Sequence, residues 1–110
     1  MTSEATMLMT TVADAAGAEK IASALLERGQ AACVQQLDIL SRYRWEGELR
    51  SDPEILLLVK TSVAARDAAI ETIRSLHDYD LPEIAAVPIT AGLPGYLDWV
   101  VTETSRGATD

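Results

Sequence analysis

A chain of 110 residues, 48% hydrophobic and 24% charged, has the length of one domain and enough apolar content to build a core, which excludes a multidomain or disordered chain. Nine Lys and Arg against 17 Asp and Glu give a net charge of −8, the wrong sign for phosphate backbones or anionic lipid, so neither nucleic acid nor a membrane surface is expected as a partner. Cys33, the one cysteine, forms no intrachain disulfide, and a reducing cytoplasm is the expected compartment. The N-terminal MTSEATMLMTTVAD lacks the basic segment of a signal peptide. The longest uninterrupted apolar run, Ile55–Val59, has five residues, against the ~20 of a membrane helix, so the protein is expected to be soluble.

Residues 1–6 and 105–110 read as flexible ends around a single domain over 7–104, because their small polar side chains have little to bury. Met7–Val12 is apolar and Thr-rich and reads as a strand. Ala18, Ile21, Ala22, Leu25 and Leu26 follow at helical spacing, with Asp14 placed to cap the helix start and Gly29 to end it in the left-handed conformation. Ala31–Gln36 and Ile39–Trp45 read as extended segments, and Glu46-Gly47-Glu48 as a hairpin tip. A further strand spans Leu49–Thr61, with a break expected near Asp52-Pro53 because proline donates no ladder bond. Ser62 is the expected cap of a second helix that turns Ile70, Ile73 and Leu76 inward and ends near His77. Glu83–Ile89 reads as a last strand, placed at an edge by Pro88. Leu93–Thr104 reads as a third helix opened by Pro94.

The order strand, helix, strand, strand, helix, strand, helix fits an α+β ferredoxin-like split β-α-β sandwich with an extra C-terminal helix. Helices in that plan cover one face of the sheet, and the central strand should then alternate apolar and polar residues. Ile55-Leu56-Leu57-Leu58-Val59 is apolar on both faces instead. Each such side chain left in water forfeits about 1.5–3 kcal/mol, so other subunits are expected to cover the second face, with the long hairpin reaching across.

Four rare polar groups are candidates for chemistry: Cys33, His77, Lys60 and Glu83. None belongs to a phosphate loop, a zinc-protease helix or a nucleophile elbow. Cys33 lies among small apolar residues and reads either as a small hydrophobe or as a soft ligand for Cu(I) or Zn. Met7 and Met9, on one strand face, read as core rather than as thioether ligands. His77, Asp78, Tyr79, Asp80 and Glu83 crowd one turn, which is either a cation site or a helix-end imidazole beside an acid. Lys60 ends the most apolar strand and reads as an anion-binding ammonium, a snorkelling side chain, or the partner of Glu83 in a structural ion pair. Acid–base work by Lys60, His77 and Glu83 is a third class of function, but nothing in their spacing makes them meet.

Thr10-Thr11-Val12, Ala31-Ala32-Cys33-Val34, Tyr43-Arg44-Trp45-Glu46-Gly47, Glu54 through Lys60-Thr61, His77-Asp78-Tyr79-Asp80-Leu81-Pro82-Glu83-Ile84 and Tyr96-Leu97-Asp98-Trp99 together resemble the CutA family of divalent-cation tolerance proteins. The resemblance runs in order over about residues 7–101. It implies a subunit similar to the PII signalling proteins, a compact homotrimer, and binding of divalent ions, copper or zinc, that folding does not require. It implies no enzyme. Carried over by motif, the inter-subunit cleft is lined by Tyr43, Trp45, Lys60, His77, Tyr79, Glu83 and Trp99, with Cys33 nearby; His77, Cys33, Asp78 and Glu83 are the expected metal ligands, Asp78 as an oxygen donor that the family motif does not supply. The chain departs from the family pattern at Asp78 and Ala13, where proline is usual, and at Gln35, where asparagine is usual. The alternative is a PII-like trimeric sensor that takes a small anionic metabolite in the cleft, against Lys60 and His77.

Overall fold

The computed structural model describes residues 4–109. Strand β1 (Ala5–Val12) leads into helix α1 (Ala15–Glu27), strands β2 (Cys33–Trp45) and β3 (Glu48–Ser62), helix α2 (Arg66–Leu76), strand β4 (Ile84–Pro88), helix α3 (Pro94–Glu103) and a 3-10 turn over Arg106–Thr109. The strands form one sheet in the order β2-β3-β1-β4, and all neighbours are antiparallel. Thus β1 and β2, joined by α1, lie two apart with β3 between them, and β3 and β4, joined by α2, have β1 between them.

The caps of α1 are those the sequence indicates. Asp14 is extended and its Oδ1 accepts from the Gly17 N–H at 2.9 Å. At the other end Gly29 has φ +67°, its N–H donates to Leu26 O at 3.2 Å and that of Gln30 to Leu25 O at 2.9 Å. This double closure needs a left-handed residue, which glycine adopts without a Cβ penalty.

Helix α2 starts later than expected. Ser62 ends β3, and its Oγ accepts from the Ala65 N–H at 3.2 Å, so it caps the turn that precedes the helix.

Leu8 and Val12 of β1, Leu57 and Val59 of β3, Ala18, Ile21 and Leu25 of α1, and Ala69 and Ile73 of α2 form the buried core. Ile70 and Leu76 pack against it, partly buried. A polar seam closes one end: Thr61 Oγ1 donates to Gln30 O at 2.7 Å, and Thr72 Oγ1 to Gln30 Oε1 at 2.6 Å.

The expected flexible ends need correction. Residues 1–3 and 110 lie outside the described residues, but Ala5 and Thr6 belong to β1 and are buried. Beyond α3, Thr104 is buried and donates to Ser62 Oγ at 2.9 Å. Arg106 Nη2 donates to Glu27 O at 2.8 Å, and a Cβ on Gly107 would fall 2.1 Å from Gly29 O. The small residues that suggested fraying are what lets this segment seat on the end of α1.

The expected break at Asp52-Pro53 is absent, and β2, expected as two segments, is continuous. Register explains both. Strand β1 accompanies β3 only as far as Val12↔Ile55, whereas β2 and β3 stay paired from Cys33↔Lys60 to Trp45↔Glu48. Pro53, opposite Leu40, therefore lies in a two-stranded arm and can turn its missing N–H to the open edge. Glu46 (φ +50°) and Gly47 (φ +79°) make the two-residue tip, the left-handed pair that fits strand twist. The arm draws the molecule out to 43 Å, against 26 and 20 Å in the other directions.

Candidate functional site

At the base of the arm lies a cavity of about 560 Å³ lined by Thr11, Tyr43, Trp45, Arg50, Asp52, Glu54, Tyr79, Asp80, Leu81 and Glu83. Register builds one wall. With Ile39↔Glu54, Ser41↔Asp52 and Tyr43↔Arg50 paired, these residues share the sheet face opposite α1 and α2. The turn between α2 and β4 supplies Tyr79, Asp80, Leu81 and Glu83, and the end of β1 supplies Thr11.

His77 fixes that turn. Its Nδ1 accepts from the Tyr79 N–H at 3.2 Å, so the ring proton sits on Nε2, which donates to Thr11 O at 2.8 Å. The imidazole ties α2 to the end of β1 and holds the Tyr79 ring at a centroid distance of 4.9 Å. From there the Tyr79 hydroxyl donates to Glu54 Oε2 at 2.9 Å, and across the arm the Tyr43 hydroxyl donates to Asp52 Oδ2. Burial, and then the Glu54 carboxylate, pushes the Tyr79 hydroxyl up to about 12. The Asp52 hydrogen bond raises that of Tyr43. Both phenols remain neutral donors at physiological pH, and the cavity carries four carboxylates against one guanidinium, that of Arg50.

Within one chain the residues expected to line the inter-subunit cleft lie in separate places. Tyr43, Trp45, Tyr79 and Glu83 line the cavity, and His77 braces its wall from behind. Lys60 does not join them. It pairs with Met7 on β1 and Cys33 on β2, four residues along β3 from the Leu56 that faces Thr11, which is about 13 Å at strand rise. Its Nζ donates to Gln35 Oε1 at 2.9 Å, so the ion pair with Glu83 is not made within one chain. Trp99 stands on α3 beside Tyr96, ring centroids 5.8 Å apart. Arg50 and Asp52 were not anticipated, although pairing back from the Glu46-Gly47 tip places both on the Tyr43 face.

The expected ligands His77, Cys33, Asp78 and Glu83 do not converge within one chain either. Cys33 is at the Lys60 end of the sheet, Asp78 turns outward to an exposed ion pair with Lys20 Nζ at 3.6 Å, and both ring nitrogens of His77 are already bonded. Among the described residues no group of three or more His, Cys, Asp or Glu is arranged to hold a metal ion. The donor set of one subunit therefore does not fit a preformed ion site. No helix among the described residues is long and apolar enough to cross a membrane.

A four-stranded antiparallel sheet with three helices, a projecting hairpin arm and an acid-rich aromatic cavity beside it defines the class of α+β protein to which the chain belongs. Residues 6–103 match the model of the CutA1 divalent ion tolerance protein family, and the chain belongs to that family. It is 43% identical over 99 residues to the divalent-cation tolerance protein CutA of Thermus thermophilus, covering 89% of this chain and 96% of that one. It is 41% identical to mouse Protein CutA, covering 79% of this chain but 51% of the relative, so it spans about half the length of that mammalian protein. Among solved structures it is similar to CutA from Xylella fastidiosa (TM-score 0.90, 42% identity, 93% of this chain and 99% of that one). It is also similar to a protein of Archaeoglobus fulgidus described as a periplasmic divalent cation tolerance protein (TM-score 0.88, 33% identity, 91% and 98%).

Proposed function

We propose that this chain acts without catalysis in the response to divalent cations, as a cytoplasmic homotrimer of ferredoxin-like subunits. The observation that carries the reading is the sheet face opposite the helices. Met7, Met9, Leu56 and Leu58 lie there only partly covered, and Leu37 and Val87 beside them are 48% and 42% exposed. A surface of that kind is what a closed ring of identical chains removes from water. Ion ligation belongs with that assembly, because Cys33 and the His77, Asp78 and Glu83 end of the sheet are separated within one chain and only a neighbouring chain can bring them together. Copper or zinc is preferred over magnesium by thiolate and imidazole donors. The anionic-metabolite alternative keeps one support, the Lys60 ammonium held by a neutral amide; the cavity itself is too acidic to attract an anion.

Native mass spectrometry combined with copper and zinc titration tests the reading. The expected result is a trimer whose ion binding weakens at least tenfold in Glu83→Gln and in Cys33→Ser. A monomer, or binding unchanged in both variants, overturns it.

A further inference from the structure

We propose that His77 is a latch on the turn between α2 and β4, opened when a divalent ion takes the Nδ1 lone pair that holds the Tyr79 N–H. The inference rests on the ion reading above, in which the ion is the signal the chain answers and a neighbouring chain supplies further donors. A neutral imidazole has one N–H and one lone pair. In His77 the N–H, on Nε2, is donated to Thr11 O at 2.8 Å. Ligating histidines keep their second nitrogen on a backbone carbonyl or a carboxylate in this way, which fixes the ring and its tautomer. Nδ1 is therefore the nitrogen left for an ion, and its lone pair is already spent on the Tyr79 N–H, at 3.2 Å the longer of the two bonds. The two uses of that lone pair exclude each other.

Little else holds the turn. Among the described residues no turn or loop hydrogen bond between backbone groups involves residues 78–83, so the segment is tied by side chains. Asp78 makes an exposed ion pair with Lys20 at 3.6 Å, the Tyr79 hydroxyl donates to Glu54 Oε2 at 2.9 Å, and the Tyr79 N–H is held by His77. Segments with so few bonds open at small cost. Losing the N–H bond frees the Tyr79 ring, whose centroid stands 4.9 Å from that of the imidazole, and with it the hold of the hydroxyl on Glu54. Glu54 is the first residue of the arm beyond Ile55, where the pairing of β3 with β1 ends. An ion at His77 thus acts on the root of the arm through Tyr79. Such coupling is reciprocal: the closed turn holds ion affinity down, and weakening the turn raises it. Every contact of the latch lies within one chain, so each subunit carries one whichever chains cover its sheet face.

The test titrates zinc into the full chain in its native assembly, followed by calorimetry and by the ring-nitrogen NMR signals, which need no assignment because His77 is the one histidine. Zinc is expected to move the Nδ1 signal while Nε2 keeps its proton, and to speed hydrogen exchange at the Tyr79 amide at least tenfold. Tyr79→Phe, shown to be folded by circular dichroism, loses the bond to Glu54 and is expected to bind zinc at least threefold more tightly than the wild type. Zinc bound without moving Nδ1, ligation through Nε2, a Tyr79 amide as protected with zinc as without it, or zinc affinity in Tyr79→Phe that is equal or weaker overturns the latch and leaves ion binding in place. A chain that binds no zinc overturns the ion reading and the latch together.

Discussion

Leu57 and Leu58 are neighbours in the same strand. Leu57 is fully buried beneath α1 and α2, whereas Leu58 is only partly covered on the opposite face. The sequence treats the two alike, and a β-strand sends them to opposite sides. The helices of one chain can satisfy only one side. The difference teaches that apolar content in a central strand counts the surfaces that must be covered, while the register decides which of them the chain covers itself.

The sharpest way to break that comparison is to place the same charge on both sides. Leu57→Asp is expected to prevent folding, because it buries an unpaired carboxylate in the core. Leu58→Asp is expected to leave secondary structure intact by circular dichroism and to abolish assembly. If the two variants lose folding equally, the faces do not differ as described. A milder pair sharpens the scale: Leu57→Ala should cost about 2–5 kcal/mol in denaturant unfolding, and Asp14→Ala about 1 kcal/mol through the lost cap of α1.

A third test concerns the cavity. Tyr79 ionises only near pH 12, whereas a free phenol does so near pH ~10. The unfolded chain therefore releases this proton first as pH rises, so the contribution of Tyr79 to stability is whole below about pH 10 and is lost towards pH 12. Glu54→Gln removes the negative acceptor and should lower the Tyr79 titration midpoint, read from phenolate absorbance against the Tyr79→Phe baseline. An unmoved midpoint would mean that Glu54 does not hold the hydroxyl. The smallest effect is expected at the rim. Asp78→Asn removes the exposed ion pair with Lys20 and should change stability by less than about 1 kcal/mol, a difference resolved by thermal unfolding.

Much of the fold was legible because it is written locally. Asp14 and Gly29 frame α1, Pro94 opens α3, Pro88 falls on the edge strand, and the doubly apolar run appears at Ile55–Val59. The misreadings came from longer range. Pro53 suggests a break until β1 is known to stop at Ile55, and Ser62 looks like a helix cap until its hydroxyl is seen on the preceding turn. The site divides in the same way. Within one chain Tyr43, Trp45, Tyr79 and Glu83 line one cavity, whereas Lys60 and Cys33 lie farther along the sheet by register and Trp99 stands on α3. His77 was legible as special but not in its role, because its partners are the backbone carbonyl of Thr11 and the backbone N–H of Tyr79, which no side-chain pattern reveals.

Sedimentation velocity of the wild-type chain beside Leu58→Asp at equal micromolar concentration tests the central claim most directly. The account predicts a wild type sedimenting as three chains, and a folded variant sedimenting as one. A wild type that sediments as a single chain, or a Leu58→Asp variant that stays trimeric, would contradict it.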